Sequence, residues 1–279
     1  MPVVEFFSAQ QRKLLDRAAR RAPDLGSPQP CVVELHGRRV LFYEQMHPAV
    51  PGDPTARTRL LACGSALANV VVALRAMGWR STVCFPVRSR QPDLLAVVTA
   101  ARVEPPSAAD HARYAAITRV RRHTAHLPLS GEPLTGVQAQ PLLVAAREIR
   151  VRAHWLCPVA ALAVADALAG AAHTPKQVRG LTGGMLVVTG GDERADVVRA
   201  GAALQRVRLA AAEGGLAAGP LVAPFHDPGL RGELARRFGL GGVPQLAVGV
   251  RARAVSGVPV VAPLEGAEAS GERPRPKPE

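Results

Sequence analysis

The sequence is short of aromatic residues, of lysine and of any paired-cysteine motif. Aromatics make up only 4% of the 279 residues, while 48% are hydrophobic. The core must therefore be built from Ala, Val and Leu in closely packed helices, and there is enough of it for one sizeable core or two smaller ones. So few rings argue against a single-strand nucleic-acid groove, which stacks bases on aromatic platforms. Lysine occurs only at Lys13, Lys176 and Lys277, so the formal charge of +13 is carried almost entirely by Arg. These Arg residues are scattered along many helical segments rather than gathered in one run. They read as solvated helix faces with a few anion ligands.

The four cysteines, Cys31, Cys63, Cys84 and Cys157, form no C-x-x-C pair and no zinc ribbon. Buried, reduced thiols are expected rather than disulfides. Met1 to Lys13 lacks a charged segment followed by an apolar one, so no signal peptide is expected and the chain is placed in the cytoplasm. Trp155 to Ala172 is long and apolar, but it contains Pro158 and Asp166 and is mostly Ala. A buried helix is expected there, not a membrane span.

Punctuation along the chain predicts alternating helices and strands. Ser8 can cap a helix to about Arg21. After a turn-rich stretch, Cys31–Leu35 and Val40–Tyr43 read as strands joined by a hairpin at His36-Gly37-Arg38. A Pro/Gly/Asp loop leads into a long helix, about Thr55 to Met77, with Gly78 as its stop. Strands follow at Thr82–Pro86 and Leu94–Ala101. Ser107 caps a helix to about Arg121, and 122–136 form a loop. Further helices are predicted at Val137–Glu148, after Leu156, at Asp192–Gly214 and at Pro228–Phe238. Strands are predicted at Arg150–Leu156, Met185–Thr189, Ala217–Ala223 and Gln245–Val250. From about Pro263 the chain has almost no apolar residues and is expected to be a disordered tail.

The two long helices resemble each other. The run from Gly64 to Gly78 aligns without gaps on Gly201 to Gly215, at a constant offset of 137 residues. Six of its fifteen positions are identical: Gly64, Ala66, Leu67, Val70, Ala73 and Gly78. Gly64, Leu67 and Val70 recur at near-helical spacing and share one face. A Gly inside a helix costs about 1 kcal/mol in propensity. Close backbone approach between two such helices would offset that cost. The pattern predicts two similar halves, 1–105 and 106–262, packed through these helices about a pseudo-two-fold axis, with 263–279 outside both.

Three segments carry a resemblance to a known family. Ala62–Trp79, Arg121–Leu129 and Ala200–Leu221 resemble the nitroreductase superfamily, and most closely its Acg-type branch, in which two nitroreductase-like units are fused in one polypeptide. The resemblance extends over most of Ala22 to Val250. It implies an α+β fold with mixed sheets flanked by helices, and flavin mononucleotide (FMN) held between the two fused halves. The family's Ala-Pro-Ser-x-x-Asn-x-Gln-Pro-Trp loop falls on Ala22 to Cys31. Gln29 and Pro30 are kept, while Ser27 and Cys31 stand where the family has Asn and Trp. Its Arg-Arg-Ser/Thr-x-Arg motif falls on Arg122-His123-Thr124-Ala125-His126, with Arg121 just before. Pro224-Phe225-His226-Asp227 resembles its Pro-rich turn, and Arg231 sits where it often has Arg. Arg251 is the nearest basic residue to its closing phosphate clamp.

FMN needs guanidinium forks and N–H groups for its phosphate and an apolar slot with a few aimed hydrogen bonds for its rings. The resemblance assigns the phosphate to Arg121, Arg122, His123, Thr124, His126 and Arg251. It assigns the ring system to Ser27, Gln29, Pro30 and Pro224. The activity it implies is two-electron transfer from NAD(P)H through the flavin to a nitro or quinone-type acceptor. The cofactor carries that chemistry, so no nucleophilic side chain is required. The alternatives are an FMN-sequestering protein without turnover and a scaffold without flavin. The partner expected is a small-molecule electron acceptor, not a membrane or nucleic acid. The chain is expected as a monomer with pseudo-dimeric halves or a weak homodimer. His123-x-x-His126 lacks a third metal ligand, and Gly190-Gly191 and Gly239-Leu-Gly-Gly242 read as ordinary turns.

Overall fold

A computed structural model describes residues 7–26, 30–45, 53, 55–86, 91–120, 134–171, 178, 181 and 183–252. Ser8 caps the first helix, α1 (Ala9–Arg20), through a reciprocal pair. Its Oγ accepts from the Gln11 amide at 3.2 Å, and Gln11 Oε1 accepts from the Ser8 amide at 2.9 Å. The helix buries Leu15, Ala18 and Ala19. The hairpin β1 (Cys31–His36) and β2 (Arg39–Glu44) turns at Gly37, whose φ of +59° suits glycine. The long helix α2 (Arg57–Ala76) and strands β3 (Trp79–Cys84) and β4 (Leu94–Val103) complete the first half. The helices α3 (Ala108–Arg119) and α4 (Gly136–Ala146) lead into the second. It comprises β5 (Val151–Leu156), α5 (Pro158–Ala171), β6 (Gly184–Thr189), α6 (Arg194–Glu213), β7 (Leu216–Leu221), a 3-10 turn (Ala223–His226), α7 (Pro228–Arg237) and β8 (Val243–Ala252).

Each half holds a four-stranded sheet, in the orders β1-β2-β4-β3 and β5-β6-β8-β7. Where mixed sheets were expected, every ladder among the described residues is antiparallel. The reason is topological. β2 and β3, joined through α2, run parallel to each other because both pair antiparallel with β4, which lies between them. The α+β class stands.

The two sheets share most of their register, apart from a shift between Arg80 and Ser81 that has no counterpart in the second. Val98 pairs with Val40 and Val83, and Val248 pairs with Met185 and Pro220. Thr99 pairs with Arg39 and Thr82, and Gly249 pairs with Gly184 and Gly219. The other irregularity recurs, between Phe42 and Tyr43 in one half and between Val187 and Val188 in the other. α2 and α6 end alike, with Gly78 at φ +84° and Gly215 at φ +72° before the next strand begins.

These two helices cross where both lack a side chain. A Cβ on Gly64 would overlap the carbonyl oxygen of Val198 and lie 2.8 Å from the amide nitrogen of Ala202. A Cβ on Gly201 would overlap the carbonyl oxygen of Leu61. Val198 and Leu61 are themselves equivalent positions, so the two notches fit each other reciprocally. Above the crossing, Ser65 Oγ donates to the Gly201 carbonyl at 3.0 Å. Asn69 Nδ2 donates to the Ala18 carbonyl at 3.0 Å, Gln205 Nε2 donates to Asn69 Oδ1 at 2.9 Å, and Arg208 donates to Gln205 Oε1 at 3.0 Å. Asn69 and Gln205 are fully buried, and this ladder satisfies both side chains.

The halves differ in layering. The second sheet is covered on both faces: α6 packs over Met185, Val187, Leu246 and Val248, while α5 and α7 pack over Leu186, Val188 and Ala247. β6 is therefore buried throughout and reads as a continuous apolar run. β1 and β3 instead alternate between half-buried and exposed residues. In α5, Ala161, Val164 and Leu168 are buried, but Val159 and Leu162 are exposed, so the expected buried helix has one uncovered face. Of the expected buried thiols, Cys63 is buried and Cys31 half-buried, while Cys84 and Cys157 are exposed, because β3 and the start of α5 turn those positions outward; all four are free. α2 is long and apolar enough to cross a bilayer, but 78% of its apolar window is buried inside the protein.

Candidate functional site

The loop that follows α1 builds a cavity. Ala22 and Pro23 are buried, and Leu25 (φ +48°) and Gly26 (φ +91°) turn the chain back toward β1. Leu25 is a non-glycine residue held in the left-handed region, a conformation that must be fixed by its surroundings. It packs against an apolar cluster shared by α2 and α6, together with Cys31 and Phe85. The cavity enclosed between α1, this loop, β1 and α2 has a volume of about 330 Å³. Ala19, Ala22, Pro23, Pro30, Val33 and Ala66 give it apolar walls, and Asp16, Arg20, Asp24 and Gln45 give it a polar rim. Polar and apolar groups share the lining about equally, and a ligand there would meet both.

Arg208 of α6 is 2% exposed. Burial lowers its guanidinium pKa to about 10, opposed by the charge of Asp24. The loop of the first half and the helix of the second are thus coupled electrostatically at the cavity.

A second polar cluster joins the halves at the start of α2. Asp53 accepts from the amides of Arg57 at 2.8 Å and Thr58 at 2.9 Å, capping a helix whose own N-cap, Ala56, offers no side-chain acceptor. Arg57 donates to Asp192 Oδ1 at 2.8 Å and to Gln245 Oε1. Arg231 donates to Asp192 Oδ2 at 2.7 Å and to the Phe225 carbonyl at 2.6 Å. Thr58 Oγ1 and His226 Nε2 are 3.0 Å apart. Burial pushes the Asp192 carboxyl up, but the hydrogen bond and charge of Arg57, the Gln245 amide and the charge of Arg231 hold it below its ordinary value. Burial, then repulsion from Arg57, lowers the Arg231 guanidinium against the pull of Asp192.

Of the residues assigned from sequence, Ser27, Gln29, Arg121, Arg122, His123, Thr124 and His126 lie outside the described residues. Pro30 lines the cavity, and its carbonyl accepts from Cys63 Sγ at 3.1 Å. Pro224 leads the 3-10 turn whose His226 reaches Thr58. Both prolines therefore border α2, at points five residues, or roughly 7.5 Å, apart along its axis. Arg251 is not brought to Pro224: it pairs with Ala217 at the start of β7, whereas Pro224 follows the end of that strand. Among the described residues no group of His, Cys, Asp and Glu could hold a metal.

Arg57, Asp192, Gln245, Asn69 and Gln205 were not anticipated. Asn69 did carry a signal, as a polar residue within the apolar run of α2. Arg57 carried another, standing at the same 137-residue offset from Arg194 as the two glycines do from each other.

No family model and no curated protein matches the sequence. Among solved structures, the hypothetical oxidoreductase YcnD from Bacillus subtilis is similar with a TM-score of 0.40 and 17% identity, over 51% of this chain and 66% of that one. A candidate NADH dehydrogenase/NAD(P)H nitroreductase from Bacteroides thetaiotaomicron is similar with a TM-score of 0.37 and 15% identity, over 55% of this chain and 88% of that one. At these scores neither likeness assigns a family or an activity to this chain.

Proposed function

We propose that the protein is a nitroreductase-like flavoprotein with internally duplicated halves of the Acg type and one FMN site at their junction. The observation that carries this reading is the cavity beside the loop from Ala22 to Cys31, the segment in which the sequence resemblance expects the flavin loop. The residues present fit a flat aromatic ligand: Pro23, Pro30, Val33 and Ala66 supply apolar walls, and Asp24 and Gln45 supply polar partners. Leu25 and Cys31 pack against the apolar cluster that α2 and α6 build together, and the matching strand pairs of the two sheets support descent from one repeated unit.

In this reading Ser27, Gln29 and Pro30 orient the ring system. Arg121, Arg122, His123, Thr124 and His126 neutralise and hold the phosphate, whose charge calls for forked donors. Bound FMN would supply two-electron transfer from NAD(P)H to a nitro or quinone-type acceptor. Four free thiols suit a reducing, cytoplasmic compartment.

The visible spectrum of the purified chain tests the proposal. A yellow protein with about one FMN per chain, bleached by NADH or NADPH, is the expected result. Changing Arg121 and Arg122 together to Ala should weaken FMN binding at least about ten-fold, or roughly 1.4 kcal/mol. A colourless protein that takes up no added FMN overturns the reading. One that binds FMN without bleaching is a flavin store rather than an enzyme.

A further inference from the structure

Cys63 and Cys31 meet at the cavity wall. Cys31 opens β1 and lines the cavity, half-buried. Cys63 is 1% exposed and lies behind it on α2. Its Sγ is 3.1 Å from the carbonyl oxygen of Pro30, the peptide group that leads directly into Cys31. The Cys31 thiol is near enough to Cys63 to raise its pKa. Cys63 is a member of the apolar cluster that α2 and α6 share, and Cys31 packs against that cluster. A disulfide requires this kind of approach, with the two Cβ atoms close and the main chains a few ångströms further apart.

The two thiols are chemically unequal. Burial pushes the Cys63 thiol well up, and the hydrogen bond and charge of Cys31, then the charge of Glu44, push it further, against the pull of Arg59. Cys63 therefore keeps its proton, which it donates to the Pro30 carbonyl. The thiolate is the nucleophile in cysteine chemistry, and access decides which thiolate reacts. Cys31 has that access through the cavity; Cys63 does not.

We propose that Cys31 and Cys63 form a dithiol that reduces a small hydroperoxide and closes to a disulfide. The Cys31 thiolate sulfur bonds to the terminal peroxide oxygen, the O–O bond breaks, and the alcohol leaves with the proton that Cys31 has given up. Cys31 is then a sulfenic acid. The Cys63 sulfur attacks the Cys31 sulfur, the S–O bond breaks, and the hydroxide leaves as water with the Cys63 proton. Two thiols are oxidised by two electrons, and one hydroperoxide becomes one alcohol and one water. An external dithiol reverses the change. The bond would tie the loop at Pro30 to α2 and so alter one wall of the cavity. None of these steps involves a flavin, so the inference stands or falls separately from the function proposed above.

The test uses the full chain with Cys84→Ser and Cys157→Ser, which removes the exposed thiols. Stoichiometric hydrogen peroxide followed by alkylation and peptide mapping should leave no free thiol and yield a peptide cross-linked between Cys31 and Cys63. Dithiothreitol should restore both thiols. Adding Cys63→Ser should stop the reaction at a Cys31 sulfenic acid that a cyclic diketone traps. Adding Cys31→Ser should leave Cys63 reduced. Quantitative alkylation of both cysteines after peroxide overturns the proposal, with circular dichroism confirming that the protein is folded. So does oxidation of Cys63 in the chain lacking Cys31.

Discussion

Arg57 and Arg194, the first residues of α2 and α6, each reach across to a carboxylate of the opposite half. Arg57 binds Asp192 at 2.8 Å, and Arg194 binds Glu44. Each carboxylate also holds a second guanidinium: Arg231 on Asp192 at 2.7 Å and Arg59 on Glu44 at 2.6 Å. The two Arg are equivalent in position but unequal in burial, since the Arg57 side chain is 5% exposed and that of Arg194 is 49% exposed. Arg57→Met should cost about 2–3 kcal/mol by leaving the buried Gln245 Oε1 without its donor. Arg194→Met should cost about 1 kcal/mol or less. Urea unfolding of the two variants checks the order, and equal losses would mean that burial does not govern the clamps.

The glycine crossing makes a prediction opposite in sign to helix propensity. Ala is the better helix former by about 1 kcal/mol, yet Gly64→Ala and Gly201→Ala should each destabilise by about 3 kcal/mol or more, because backbone must move to admit a methyl group. The double variant should lose less than the sum, since the first spreads the helices for the second. Gly232 in α7 is the control. Nothing lies within 4 Å of its Cβ position, so Gly232→Ala should stabilise by roughly 0.5–1 kcal/mol. Thermal unfolding of all four proteins reads out the contrast.

The ladder Asn69–Gln205–Arg208 should behave as a unit. Asn69→Leu leaves the Ala18 carbonyl and Gln205 Nε2 without their partner, at a cost of about 2–3 kcal/mol. Replacing Asn69 and Gln205 together by Leu should cost little more than either change alone. A double-mutant cycle measures the coupling; simple additivity would count against the ladder.

Acid should loosen the cluster around Asp192. Its folded carboxyl is held below the ordinary value of 3.8, so it contributes stability above that value and loses it as pH falls through the folded one. Asp192→Asn should therefore be less stable than the parent at pH 7, by under about 1 kcal/mol because Asp192 is largely open to solvent. The two stability curves should converge below about pH 4. Parallel curves down to pH 2 would mean that the Asp192 carboxyl titrates alike folded and unfolded, so that Arg57 and Arg231 do not stabilise its charge.

The framework was legible in the sequence where local signals were strong. Ser8 and Ser107 cap the helices expected of them, and Gly78 and Gly215 end theirs. The stripe of Gly64, Leu67 and Val70 foretold a close helix pair, because a glycine in a long helix needs a packing reason. β3 starts three residues earlier than expected, at Trp79, since the strand follows Gly78 without a linker. What sequence could not convey was which distant residues share a space. Asp192 looked like a helix start, and only the fold carries it to Arg57, 135 positions away. Mixed sheets were expected by analogy, whereas the hydrogen-bond pattern depends on β4 entering between two strands, which no local signal records. Arg251, placed at the phosphate by resemblance, sits opposite Ala217 at the start of β7, while the other residues assigned to the phosphate lie outside the described residues.

The notched crossing of α2 and α6 also governs how the polypeptide can be divided. Each long helix is walled by the other, so a fragment carrying only one would present a greasy, grooved rod to water. Severed between 121 and 133, the two pieces should be insoluble or molten when made separately and should recover ordered structure when expressed together. The protein would then serve as a ready-made split pair whose reassembly is keyed by two missing side chains.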